Sequence, residues 1–178
     1  LWSVIMVISG LNPNQAKEQH FILQYLNIYK MNKEKIKPIE ILLVEDNPGD
    51  VDLTLDAFED CKMLNNIHVT NDGEQAIDFL YKQGEYQNAV TPDLIILDLN
   101  LPKLDGREVL KKIKTDDNLK AIPVVVLTTS SAEEDILGVY KNYANSYITK
   151  PLDLDQFVKV VKAIENFWMG IVVLPEKK

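Results

Sequence analysis

Cysteine is nearly missing: Cys61 is the only one among 178 residues. No disulfide can form within the chain, and a lone thiol with no histidine near it in sequence reads as packing rather than chemistry. That usage suits a reducing compartment, so a cytoplasmic location is expected. A long apolar run is also lacking. The stretch over residues 1–11 falls well short of the roughly 20 residues that cross a bilayer. With no Lys or Arg before it, it also lacks the charged start of a secretory leader. Positive charge is scarce. Residues 1–38 hold five lysines and two glutamates, which leaves 14 basic and 25 acidic residues for the rest. An acidic body without a basic stripe repels phosphate backbones and anionic lipid, so neither nucleic acid nor a membrane surface is expected as a direct partner. Repeats, low-complexity tracts and Pro/Ser-rich linkers are absent as well, and nothing suggests a second folded domain.

What is present is an ordinary globular composition, 46% apolar and 26% charged. A chain of this length buries about two thirds of the surface it would expose unfolded. It starts at Leu1, while Met31 stands just before the polar stretch Asn32-Lys33-Glu34-Lys35. Residues 1–36 are therefore read as an N-terminal extension, with Met31 as the candidate natural start. The competing reading is an N-terminal helix, because Phe21, Ile22, Tyr25, Leu26 and Tyr29 fall at helical spacing. Intact-mass analysis of the native protein decides between them.

From residue 39 onward, short apolar runs alternate with longer amphipathic segments, the pattern of an α/β protein with a parallel sheet. Ile41-Leu42-Leu43-Val44, Leu94-Ile95-Ile96-Leu97 and Val124-Val125-Val126-Leu127 have no polar break, as expected of strands covered on both faces. Ile67 to Val69 and Tyr147 to Ile148 are weaker and suit positions nearer the sheet edges. Five helices are predicted. Pro48 to Cys61 carries Val51, Leu55 and Phe58 on one face, with Asn47 as its cap. Asp72 to Tyr81 carries Ala76, Ile77 and Leu80, and Gly106 to Lys114 carries Val109, Leu110 and Ile113. Ala132 to Tyr143 carries Ile136, Val139 and Tyr140. Asp153 to about Phe167 carries Phe157, Val160, Val161 and Ile164.

Right-handed parallel connections place every strand's carboxyl end on one rim. Glu45 and Asp46 follow the first run, Asp98 the third, Thr128 and Thr129 the fourth, and Thr149-Lys150-Pro151 the fifth. Ligands of open α/β sheets bind on that rim, at the point where strand order reverses. Two carboxylates near 4.5 Å apart repel by about 3 to 4 kcal/mol at an effective dielectric of 20. A proton or a cation must relieve the cluster, and an all-oxygen site with room for water suits Mg²⁺. A carboxylate such as Asp98 can attack phosphorus, while Thr128 offers a hydroxyl and Lys150 a compact positive charge, so the set points to phosphoryl transfer.

These residues resemble the receiver domain of two-component response regulators. The resemblance runs over residues 37–174, followed by a short tail at 175–178. It rests on Ile41-Leu42-Leu43-Val44-Glu45-Asp46-Asn47, Asp98-Leu99-Asn100-Leu101-Pro102 with Asp105-Gly106, Val125-Val126-Leu127-Thr128-Thr129 and Tyr147-Ile148-Thr149-Lys150-Pro151. It implies a doubly wound, flavodoxin-like (CheY-like) five-stranded parallel sheet, order 2-1-3-4-5, flanked by five helices. It further implies that Asp98 accepts phosphate from a histidine kinase. Mg²⁺ would be held by Asp46, Asp98 and the main-chain carbonyl of Asn100, with Glu45 acting through water.

In the same way, Thr128 and Lys150 would contact the phosphoryl group, Tyr147 would change rotamer with Thr128, and Asn100 and Ser130 would tune the lifetime of the phosphoaspartate. A cis Lys150–Pro151 bond is also implied. Asp46-Asn47-Pro48-Gly49-Asp50, Gly106-Arg107-Glu108-Val109-Leu110 and Ile164-Glu165-Asn166-Phe167-Trp168 are closer still to the single-domain regulators that pair with phytochrome kinases. Too few residues follow the fifth helix for an output domain, so output through a protein surface is expected. The apolar residues Met169 to Leu174 suggest a homodimer through the last helix and its tail, against a tail folded back on its own domain.

Three rival readings meet the same residues. A magnesium-dependent phosphatase of the haloacid-dehalogenase type needs a second acid two residues after its aspartate, where this chain has Asn100. A flavodoxin-like cofactor binder needs free N–H groups after the first strand, where Glu45 and Asp46 would repel a phosphate. A receiver-shaped module that never takes phosphate would not need all of these residue types together.

Overall fold

The computed structural model describes residues 38–59 and 64–175. The expected start at Met31, the helix over residues 21–29 and Cys61 lie outside them. The described residues belong to the unit Pro38–Lys178. Strands β1 (Ile39–Val44), β2 (Asn65–Thr70), β3 (Leu94–Leu97), β4 (Val124–Thr128) and β5 (Ser146–Thr149) alternate with helices α1 (Pro48–Glu59), α2 (Gly73–Tyr81), α3 (Gly106–Thr115), α4 (Glu133–Lys141) and α5 (Leu154–Gly170). All strand pairs are parallel, and the order is β2-β1-β3-β4-β5, as expected.

The three unbroken apolar runs form the three central strands because each packs on both faces. Leu42, Val44, Ile95, Leu97, Val124 and Val126 point into one core with residues of α2, α3 and α4. Ile41, Leu43, Leu94, Ile96, Val125 and Leu127 point into the other with residues of α1 and α5. Asn47 caps α1 as its sequence suggests: its Oδ1 accepts the N–H of Gly49 at 2.9 Å, so Pro48 occupies the first turn, where no donor is needed. Asp72, Asp105 and Asp153 cap α2, α3 and α5 by accepting N–H groups of Gln75, Arg107 and Gln156.

Two amphipathic expectations change. In α4 only Val139 is buried, while Tyr140 is 51% exposed. The helix covers the weak edge of the sheet near the short β5, where there is less apolar surface to meet. At the other end, α5 runs three residues past Phe167, and Trp168 and Met169 are buried against the α1–α5 core. Beyond it Val172 and Leu174 pack on the same core, whereas Ile171 and Val173 face outward. The stretch Met169 to Leu174 is thus half folded back on its own domain, as alternating side chains of an extended segment require. Among the described residues no helix is long and apolar enough to cross a membrane.

Candidate functional site

The chain leaves β1 outward to β2 and then returns across β1 to β3, so the loops after β1 and β3 diverge and open a crevice between them. Glu45 and Asp46 stand on one side of that crevice and Asp98 on the other. One carboxylate oxygen from each of the three lies within 4.8 Å of the others. Glu45 and Asp98 are buried, while Asp46 is exposed. Lys150, only 6% exposed, enters from the end of β5. Its amine donates to Glu45 Oε2 at 2.5 Å, to Asp98 Oδ2 at 2.7 Å and to Asp50 Oδ2 at 2.8 Å.

The Lys150–Pro151 peptide is trans, against the expectation of a cis bond. The lysine is aimed by its three acidic partners and by its own N–H, which donates to the Thr128 carbonyl at 2.7 Å. Asp50 was not among the expected site residues. It sits in the first turn of α1, where the Asn47 cap turns the helix start toward the crevice. The only sequence signal for it is an acid one turn after Asp46.

Burial and pairing divide the acids. Burial pushes the Glu45 carboxyl up to about 7, against the opposing pull of Lys150. Burial also works to raise Asp98. The Lys150 amine, the Asn100 N–H and the Thr128 hydroxyl outweigh it, so Asp98 stays below the ordinary carboxylate range. Burial works against the charge on Lys150 as well, yet Asp50, Asp98 and Glu45 together hold it well above the ordinary amine range. Asp98 is therefore a buried, ionised carboxylate at the edge of the crevice, the state a nucleophile needs.

The other expected residues gather on the same rim. Thr128 is fully buried at the end of β4. The Asn100 N–H donates to Asp98 Oδ1 at 3.0 Å, and the Asn100 side chain donates to Thr129 Oγ1 at 3.2 Å. Tyr147 is half-buried against the α3–α4 side of the core and donates its hydroxyl to the Ser130 carbonyl at 2.7 Å. Whether the acids suit a hard cation is decided by their chemistry: all donors are oxygens, two are fixed by hydrogen bonds, and the third is open to water. That is the mixture Mg²⁺ and Mn²⁺ accept. A cavity of about 510 Å³ lies away from this chemistry, at the amino ends of the strands between Tyr81, Pro92, Asp116 and Pro123.

Comparison with known proteins agrees with this geometry. The family model described as "Response regulator receiver domain" matches residues 41–162. Response regulator Rcp1 of Synechocystis sp. is 46% identical over 145 residues, which are 82% of this chain and 99% of that protein. The crystal structure of the Mn(2+)-bound form of response regulator Rcp1 superposes with a TM-score of 0.77 at 47% identity, covering 78% of this chain and all of that one. The phosphorylated cyanobacterial phytochrome response regulator RcpA gives a TM-score of 0.77 at 48% identity, with 79% of this chain and all of that one covered. A probable methanogenesis regulatory protein, FilR2 of Methanothrix harundinacea, is 43% identical over 133 residues, 75% of this chain and 85% of that protein. With its strand order, its acidic crevice and the lysine at the end of β5, the chain belongs to the response regulator receiver family.

Proposed function

We propose that the receiver spanning residues 37–174 accepts a phosphoryl group on Asp98 from the phosphohistidine of a sensor histidine kinase of the phytochrome type, in the cytoplasm and with Mg²⁺. One observation carries this reading: a buried, ionised Asp98 bonded to Lys150 at 2.7 Å, with Glu45 and Asp46 oxygens within 4.8 Å. In the transfer an Asp98 oxygen attacks phosphorus, the bond from phosphorus to the imidazole nitrogen breaks with its electron pair staying on that nitrogen, and the imidazole, protonated on its other nitrogen, leaves neutral as the acyl phosphate forms. Asp46, Asp98 and the main-chain carbonyl of Asn100 would hold the ion, with Glu45 reaching it through water. Bound there, it neutralises charge on the phosphoryl oxygens.

Lys150 turns its amine from Asp98 to a phosphoryl oxygen while Asp50 and Glu45 keep it in place. Thr128 donates its hydroxyl to the same group. Tyr147 follows the loop that Thr128 begins and carries the change to the α4–β5–α5 surface, which signals by protein contact. Asn100 and Ser130, each two residues beyond a site residue, set the lifetime of the phosphoaspartate. The test is phosphotransfer from a panel of autophosphorylated histidine kinases. Fast transfer from a phytochrome-type kinase to wild type is expected. No kinase labelling wild type beyond the level of Asp98→Asn would contradict the reading.

A homodimer through α5 and its tail is part of the proposal. Its support is the apolar group Phe167, Ile171 and Val173, exposed by 50%, 74% and 94%. Light scattering over a concentration series should show wild type gaining mass toward a dimer and Phe167→Asp/Ile171→Asp staying monomeric. A monomer at all concentrations would remove the dimer from the account.

A further inference from the structure

The loop between β4 and α4 begins just after Thr128, and it is tied down from a side that the phosphoryl chemistry does not use. Ser130, two residues after Thr128, donates its hydroxyl to Asp135 Oδ2 at 2.5 Å. Asp135 lies in the first turn of α4 and is gripped by Arg107 of α3, Nε to Oδ1 at 2.8 Å and Nη2 to Oδ2 at 2.6 Å. Arg107 is braced in turn by Asp105, the cap of its own helix, at 3.0 Å. The fork geometry makes this grip directional, and a lysine could not reproduce it. Hydrogen bonds from Arg107 and Ser130 hold the Asp135 carboxyl down to about 2.

Thr128 is the last residue of β4, paired with Thr149 of β5. Between it and Ser130 the chain spans at most about 7 Å, so the hydroxyl of Thr128 cannot advance far without moving Ser130. Moving Ser130 either breaks its bond to Asp135 or draws α4 along. Because Val139 is the one buried side chain of α4, little packing resists that motion, and the resistance falls on the grip between Arg107 and Asp135 together with the Tyr147 hydroxyl on the Ser130 carbonyl.

We propose that Arg107 and Asp135 are positioning residues for phosphoryl transfer: through Ser130 they hold the β4–α4 loop in its resting place and set how readily Thr128 closes on a phosphorylated Asp98. The proposal rests on the Asp98 reading given above. A contact biases such an equilibrium only when one of the two states makes it more strongly. With the grip made in the resting arrangement alone, as proposed, its loss is expected to favour the closed one.

The test uses beryllofluoride with Mg²⁺ as a stable stand-in for the phosphoryl group, read by the backbone amide signals of Thr128 and Ser130. Arg107→Gln and Asp135→Asn should each tighten beryllofluoride binding by about fivefold, the size expected of a partly exposed pair. The double variant should gain no more than either single one, because both remove the same contact. Before any ligand is added, the amide signals of the variants should already be displaced toward their bound positions. A purely structural role would not produce that shift. Ser130→Ala, which removes one hydroxyl and leaves both helices intact, should behave alike. Unchanged affinity and undisplaced signals in variants that unfold cooperatively would overturn the proposal. If wild type itself fails to bind beryllofluoride, the Asp98 reading falls and this proposal with it; binding by wild type alongside unchanged variants sinks the positioning role alone.

Discussion

Lys150→Met is expected to lower the unfolding free energy by about 3 to 5 kcal/mol in metal-free buffer, the cost of removing one partner from a buried ionic group. The Lys150 side chain is only 4% exposed and its amine holds three carboxylates, of which the Glu45 and Asp98 side chains are 4% and 6% exposed. Without it Glu45 and Asp98 face each other and Asp46 across less than 5 Å with no cation between them. Methionine keeps most of the volume, so lost packing contributes little. A divalent ion supplies the missing positive charge, and millimolar Mg²⁺ should therefore stabilise the variant more than wild type. Urea unfolding with and without the ion checks both statements. Phosphorylation should stay impaired even where the ion restores stability, because no amine remains to meet the phosphoryl group. A variant as stable as wild type without metal would show that the lysine is not what reconciles these charges.

Gly106→Ala is expected to damage the site from a position that touches none of its chemistry. A Cβ at residue 106 would stand 2.1 Å from the Asp98 carbonyl oxygen and 2.7 Å from Leu99 Cα. Both are backbone atoms just past the end of β3, held by the Asp98 N–H on the Val44 carbonyl at 3.0 Å and by the Gly106 N–H on the Leu99 carbonyl at 2.9 Å. Relief requires α3 or the end of β3 to shift, at about 1 to 3 kcal/mol of strain, and a shift of β3 carries Asp98 with it. Thermal unfolding should show the loss, and the rate of labelling by a small acyl phosphate should fall in the folded fraction as well. Gly138→Ala, where nothing lies within 4 Å of the added carbon, serves as the control and should be neutral or slightly stabilising.

The reach of sequence reasoning here follows the range of the forces involved. The central strands were legible because burial on both faces leaves an unbroken apolar run. The placement of the acids, Thr128 and Lys150 was legible because a parallel sheet puts every strand end on one rim. The partnership of Asp50 with Lys150 was not, since the two lie 100 residues apart and only the turn of α1 brings them together. Nor was the grip of Arg107 on Asp135, made between two helices across 28 residues. Periodicity overstated the burial of α4, because a stripe of Ile136, Val139 and Tyr140 shows what could be covered, not how much sheet is there to cover it. Of the two readings the tail allows, Met169, Val172 and Leu174 follow the one in which the segment folds back on its own domain, because the α1–α5 core extends far enough to receive them.

The central claim is that Asp98 is the residue that takes the phosphoryl group. Intact-mass measurement after incubation with a small acyl phosphate and Mg²⁺, followed by peptide mapping, tests it most directly. Wild type should gain the mass of one phosphoryl group on the peptide that carries Asp98, and the gain should vanish in Asp98→Asn and in the presence of a chelator. Equal labelling of Asp98→Asn and wild type would contradict the account.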